Sequence, residues 1–325
     1  VARLLNYISF NITSTWAGLF SGKVDVILCP SPPLTIGLSA WVLSRLKRVP
    51  FIYNVQDIYP DIAVQLGVLT NARVIRFFQK MERFIYRKAA AVSVLSRGFE
   101  RNLLDKSVPE DKLHIIPNFV DTTFITPGEK SNVFAEEHGL IDKFLMMYAG
   151  NVGLSQGLEY VLVAAEQLQS ETEILFLIVG NGTVKPELEA LVAQKQLLNV
   201  RFLPFQPRER VPEMYATADV ALVSLRQDIG SESVPSKAYT IMASGRPLLA
   251  AVRADAETKW LIETADCGVW VPPEEPLALA EAVMNLYQQP ERRKKMGKNG
   301  RQYVEIHHTV EQVAEQYIAL MQTLL

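Results

Sequence analysis

ADVALVSLRQDIGSESVPSKAYTIMASGRPLLAAV, residues Ala218 to Val252, decides the fold. It opens with an apolar run, Ala218 to Leu225, of the kind that suits a strand covered on both faces. A polar loop with Asp228, Glu232 and Ser233 follows. A short helical pattern starts near Ser236 and ends at Gly245, a residue suited to the left-handed position just past a helix. Pro247 to Val252 is apolar again and reads as the next strand. In open α/β sheets ligands bind at the carboxyl ends of the strands. Helix N-termini there offer unpaired N–H groups to phosphate. A carboxylate in the same loop repels phosphate and suits hydroxyl groups. Phosphate and hydroxyls at one site describe a nucleotide sugar.

The same alternation runs along the chain and predicts parallel sheets. Strands are expected at Val24 to Cys29, Pro50 to Val55, Ala90 to Leu95 and Leu113 to Ile116. Helices are expected at Leu34 to Lys47 and Asn71 to Lys88. Asp121 to Ser131, with Pro127-Gly128, reads as a linker. Beyond it come strands at Phe144 to Tyr148, Ile174 to Val179 and Val200 to Leu203, a helix at Leu158 to Gln169 and a last amphipathic helix at Val310 to Leu324. The expected division is residues 1–130, 131–305 and a terminal helix 306–325 that returns to the first domain.

Composition sets the class. At 325 residues the chain suits two domains. Half the residues are apolar, and the net charge of −2 gives no reason to expect nucleic acid. Cys29 and Cys267 are far apart and read as small buried hydrophobes of a reducing compartment. No apolar run is long enough to span a membrane and no signal peptide is evident, so a cytoplasmic protein is expected. The four histidines have no metal-ligand spacing, and no metal or cofactor is expected.

The turn AGNVGLSQG, Ala149 to Gly157, follows a strand and opens a helix. Its glycines let backbone approach a pyrophosphate, although many strand-to-helix turns carry glycine for steric reasons alone. Lys237, at the start of the Ser236 helix, is the first candidate for a phosphate-binding cation and Arg226 the second. For Arg226 a solvated surface charge fits equally. NVQDIYPD, Asn54 to Asp61, places polar side chains just after a strand, where acids also serve as helix caps.

These motifs resemble the donor-binding signature of the retaining glycosyltransferases of family 4, which have the two-domain GT-B fold. Glu232 stands at the first Glu of that signature, and Met242-Ala243-Ser244-Gly245-Arg246-Pro247 matches its ending. VPSKAY and NVQDIYPDIAVQLGVL resemble the WbuB/WcaI-like branch, which builds bacterial surface polysaccharides. The implied fold is α/β, with two Rossmann-like domains facing across a cleft. The first domain is expected to be incomplete, because Val1 opens directly on a helical pattern without the family's initial strand and glycine-rich turn.

The resemblance implies transfer of a sugar, with retention, from a UDP- or GDP-sugar to a polyprenyl-diphosphate-linked saccharide. Glu232 would contact the donor sugar, with Asp57 and Gln56 opposite, Gln56 standing where the family often has His. Gly150, Asn151, Gly153, Gln156 and Gly157 would approach the diphosphate. Asn151 and Gln156 replace the family's Arg and Lys, so the compensating charge falls to Lys237 and Arg226. Phe205 and Gln206 would border the base. Ser233, Pro235, Ser236 and Thr240 complete the donor set, Thr240 replacing the second Glu. Metal independence is also implied.

The helix Asn71 to Lys88 carries six basic residues, one acid and four aromatics. It fits an outer helix packed through its aromatics, and it fits a contact with the cytoplasmic face of the inner membrane through its basic face. Trp16, Leu19, Phe20 and Trp41 could add apolar contact. Two other classes remain open: a nucleotide-sugar epimerase, and a non-catalytic nucleotide-sugar-binding subunit. A dinucleotide dehydrogenase is disfavoured, because no G-x-G-x-x-G follows a strand.

Overall fold

The computed structural model describes residues 2–65, 67–229 and 236–325, with side chains described from residue 6 onward except residue 8. The chain divides into two compact units, Val1–Asn118 with Val313–Leu325, and Phe119–Gln312. Both are built on parallel sheets, because each strand leads to the next through a helical crossover.

In the first unit the strands are β1 (Ile27–Ser31), β2 (Phe51–Val55), β3 (Ala91–Val94) and β4 (Leu113–Ile115), in the order β1-β2-β3-β4. All of β2 is buried, and its alternating side chains serve two cores. Phe51, Tyr53 and Val55 meet Ile36, Ile85, Phe99 and Leu103 from the crossover helices. Ile52, with Ala91 and Ile116, meets Val313 and Leu320 of the last helix, Val310–Gln322. Strand β1 is displaced from the expected Val24 to Cys29 and includes Pro30. The missing N–H of proline is tolerated there because β1 is an edge strand with a neighbour on one side only.

The helix Ala72–Lys88 starts where Asn71 accepts hydrogen bonds from the backbone of Arg73 (2.9 Å) and Val74 (3.3 Å). It ends with Arg87 and Lys88, cations that complement the negative end of the helix dipole.

The second unit holds β5 (Phe144–Ala149), β6 (Ile174–Val179), β7 (Val200–Leu203), β8 (Val220–Ser224), β9 (Leu248–Ala251) and β10 (Gly268–Val271). Their order is β10-β9-β8-β5-β6-β7. Counted from β5 as the first strand, this is the doubly wound arrangement, and its direction reverses between β5 and β8. Strand β5 divides its side chains between two buried layers, Leu145 and Met147 on one face, Phe144, Met146 and Tyr148 on the other.

The stretch Asp121 to Ser131 is not a free linker. Val120 and Ile125 belong to the second unit's core, and Asp121 Oδ1 accepts from the backbone of Thr123 and Phe124. Arg301 donates to the carbonyls of Thr122 (2.9 Å) and Ile125 (2.6 Å), anchoring the stretch to the helix Pro290–His307. That helix also supports the end of the Lys237–Ala243 helix. A Cβ on Gly297 would lie 2.0 Å from the Gly245 carbonyl oxygen, so only glycine permits the approach.

Candidate functional site

The strand order reverses between β5 and β8, and in such sheets ligands bind beyond the carboxyl ends of the strands at that point. Beyond β5 the chain enters the turn Gly150 to Gly157, with Gly150 at φ +144° and Gly157 at φ +60°, values that suit glycine. The Tyr148 hydroxyl, at the end of β5, donates to the Asn151 carbonyl (2.6 Å) and holds the turn against its strand.

The loop after β6 is pressed against the same turn. Val152 N–H donates to the Asn181 carbonyl (2.9 Å). A Cβ on Gly180 would stand 1.8 Å from the Gly150 carbonyl oxygen, which makes glycine obligatory there. Lys185 Nζ donates to the carbonyls of Gly180 (3.0 Å) and Leu203 (3.3 Å), tying the ends of β6 and β7 together. Gly180, Asn181 and Lys185 are absent from the sequence-based candidates. The available signal was the pair Gly180 and Gly182 directly after the apolar run Ile174 to Val179.

Lys237 is the first residue of the helix Lys237–Ala243. Its ammonium donates to the Tyr148 hydroxyl (2.9 Å) and lies 4.2 Å from the centre of the Tyr148 ring. A Cβ on Gly150 would come within 3.0 Å of Nζ, which places the cation directly on the glycine turn. Burial brings the Lys237 pKa down to about 8. Among the described residues no carboxylate lies within ion-pair distance of it. A desolvated cation facing a glycine turn at a switch point is an arrangement for an anion.

The other candidates fall into different roles. Gln156 is consumed by the turn itself: Oε1 accepts from Gly153 N–H (3.0 Å) and Nε2 donates to the Ser155 hydroxyl (3.0 Å). Ser224 Oγ, at the end of β8, donates to the Gln156 carbonyl (2.7 Å). The Arg226 guanidinium stands 2.7 Å from Glu159, 3.6 Å from Glu274 and 3.7 Å from Asp228, so three carboxylates already compensate its charge. Asn151 is exposed and Gly153 is buried. Phe205 is exposed after β7, where Gln206 Nε2 donates to the Pro204 carbonyl (3.0 Å). Ser236 precedes the helix without a side-chain cap bond, and Thr240 is half-buried one turn further on. Glu232, Ser233 and Pro235 lie outside the described residues.

On the first unit, Gln56 and Asp57 follow β2. Gln56 Nε2 donates to Asn54 Oδ1 (2.6 Å). The Asn54 amide in turn donates to the Ser93 hydroxyl (3.0 Å) and to the Tyr317 hydroxyl (2.7 Å) on the terminal helix. Gln56 is therefore oriented by a buried polar chain. Asp57 is exposed, and partial desolvation raises its carboxyl pKa. Asp61 is engaged by Lys106 (2.9 Å) and Asn102 (3.3 Å), a structural role. Among the described residues no group of three His, Cys, Asp or Glu could hold a metal ion, and no helix is long and apolar enough to cross a membrane.

Comparison with known proteins places this geometry. The family described as Glycosyl transferases group 1 matches residues 132–303, and the one described as Glycosyl transferase 4-like domain matches residues 6–118. A Pseudomonas aeruginosa protein named as the glycosyltransferase WbjE is 28% identical over 82% of the chain and 69% of its own length. An Escherichia coli protein named as the colanic acid biosynthesis glycosyl transferase WcaI is 28% identical over 97% of the chain and 79% of its own length. The crystal structure of Anabaena HepE in complex with UDP superposes with a TM-score of 0.81 at 16% identity, covering 97% of this chain and 82% of that one. Sucrose-phosphate synthase from Thermosynechococcus elongatus gives 0.77 at 21% identity, over 98% and 78%. At such identities the structural likeness speaks for the fold, which is GT-B.

Proposed function

Since the chain belongs to the Glycosyl transferases group 1 family and is a glycosyltransferase, we propose that it transfers a sugar, with retention, from a UDP- or GDP-sugar to a polyprenyl-diphosphate-linked saccharide. The product would enter a bacterial surface polysaccharide, a reading supported by the colanic acid biosynthesis named for the Escherichia coli relative. The enzyme would work at the cytoplasmic face of the membrane, touching it through the helix Ala72–Lys88.

The observation that carries the reading is the Lys237 ammonium seated on the Gly150 turn. As the glycosidic bond to the donor breaks, negative charge grows on the departing diphosphate. A cation and fixed backbone dipoles aimed at that position stabilise the transition state more than the ground state. Glu232 would hold the sugar hydroxyls, and Phe205 with Gln206 the base. Gln56, fixed by Asn54, and Asp57 would serve the acceptor.

Calorimetric titration with UDP, GDP and their sugar conjugates tests this. Micromolar binding of one base is expected, with Lys237→Met weakening nucleotide and conjugate alike and Glu232→Ala removing only the gain due to the sugar. Failure of every nucleotide to bind would overturn the donor site proposed here.

A further inference from the structure

The helix Ala72–Lys88 carries Arg73, Arg76, Lys80, Arg83 and Arg87 at intervals of three and four residues, a single stripe down one side. At 1.5 Å per residue the stripe runs for about 21 Å. All five are exposed, and among the described residues none pairs with a carboxylate. The helix's one acid, Glu82, points elsewhere. It is 1% exposed and accepts from Lys106 (2.6 Å) and from the Tyr86 hydroxyl (3.0 Å).

The carboxyl-terminal half of the stripe borders a groove of about 510 Å³, walled by Lys80, Arg83, Arg87, Lys106 and Lys112 with Val108 among them. Lys106 is already matched by Asp61 and Glu82. Lys112 is tethered but, among the described residues, not paired with a carboxylate: its ammonium donates to the carbonyls of Arg87 (3.1 Å) and Ala89 (2.9 Å). Glu110 and Asp111, next to it in sequence, are exposed and do not line the groove. Ala89 and Lys112 precede β3 and β4, so the groove lies at the amino-terminal edge of the sheet. Gln56 and Asp57 lie at the opposite edge, beyond the end of β2.

We propose that this groove binds the phosphomonoester headgroup of a membrane lipid, clamped by Arg83, Arg87 and Lys112. A phosphomonoester carries nearly two negative charges and three acceptor oxygens, and arginine meets it with paired N–H donors. The groove is larger than one phosphate needs and within the usual range for small ligands. A membrane source, as opposed to a soluble phosphate, follows from the rest of the helix. Arg73 and Arg76 extend the stripe beyond the groove, and Val74 and Phe77 beside them are 39% and 58% exposed. Cations and apolar groups together along one exposed helix suit a flat anionic interface. This inference rests on the membrane contact proposed above and adds a headgroup to it.

The test is sedimentation of the full chain with vesicles of phosphatidylcholine mixed with phosphatidic acid or with phosphatidylglycerol, matched for surface charge. Tighter binding to the phosphatidic acid vesicles is expected. Arg83→Gln with Lys112→Gln should abolish that preference, while Arg73→Gln with Arg76→Gln should weaken both vesicles equally, by about fivefold per cation removed. Equal binding to the two vesicles, or equal effects of the two double variants, would overturn the headgroup site and leave the membrane contact standing. Binding to no vesicle would overturn both. Binding of inorganic phosphate with no vesicle binding would overturn the lipid source.

Discussion

Replacing Lys237 with methionine should have two consequences of opposite sign. In the free protein the ammonium sits half-buried beside the Tyr148 hydroxyl, and its pKa is about 8 against an ordinary 10.5. Between those values the unfolded chain binds more protons than the folded one, so stability rises with pH across that window. Below about pH 8 the lysine is protonated in both states and the cost is complete. The gap between about 8 and 10.5, at about 1.4 kcal/mol per unit, puts that cost on the order of 3 kcal/mol. Losing the hydrogen bond to Tyr148 returns about 1 kcal/mol. Methionine, similar in length and uncharged, should therefore stabilise the ligand-free protein by roughly 2 kcal/mol near neutral pH, about 4–8 °C in midpoint for a unit of this size. The gain should vanish toward pH 10.5, where the wild-type lysine is neutral in both states.

Nucleotide binding should move the other way. A charge-assisted hydrogen bond to phosphate contributes about 1.5–3 kcal/mol, so the variant should lose about ten- to 150-fold in affinity for UDP or GDP. Wild-type affinity should fall as pH rises through about 8, because the bound anion requires the protonated lysine. The terminal phosphate, with a second pKa near 6, is already ionised there and adds no slope. Scanning calorimetry of the free proteins and titration calorimetry across this range measure both effects. A variant that binds nucleotide as the wild type does, or a flat wild-type affinity through the window, would refute the assignment of Lys237 to the diphosphate.

Four further substitutions separate structural from ligand-binding roles. Arg226→Ala should cost about 1 kcal/mol or less in thermal unfolding, since its partners are partly exposed. Its nucleotide affinity should stay unchanged, and a loss like that of Lys237→Met would make Arg226 a phosphate ligand after all. Gly180→Ala should lower stability by about 3 kcal/mol or more, because a side chain there meets the Gly150 carbonyl at a φ that only glycine adopts easily; a normal urea midpoint would contradict this packing. Glu82→Ala leaves Lys106 paired with Asp61 alone and takes the acceptor from the buried Tyr86 hydroxyl, and should cost about 1–3 kcal/mol by chemical denaturation. Tyr317→Phe removes one partner of Asn54 and should cost about 1 kcal/mol; an unaltered midpoint would show that Asn54 does not depend on the terminal helix.

What the sequence disclosed and what it withheld divide along one physical line. Strands buried on both faces are continuous apolar runs, so β2, β5, β6, β8 and β9 were readable with small errors at their ends. Strand β10 was not, because Gly268–Val271 is short and mostly half-buried at the sheet edge. Glycines on the turn after β5 were readable as a local pattern. Gly180 was not, since its necessity comes from the Gly150 carbonyl on the neighbouring strand's turn. Pro127-Gly128 suggested a linker, yet the stretch is pinned by Arg301, far along the chain.

The cations near the turn make the point most sharply. By position Lys237 ranked ahead of Arg226, yet both stood as candidates for a phosphate. Residue type reports that a charge is present, and only the fold reports whether a carboxylate has already claimed it. Glu159 and Glu274 claim Arg226 from opposite directions in sequence, whereas Lys237 meets a neutral phenol and a glycine turn. Burial lowers its pKa, and among the described residues no carboxylate offsets that desolvation. A bound diphosphate would supply an anion beside it, so the same buried cation that weakens the empty fold is the one through which donor binding should stabilise it.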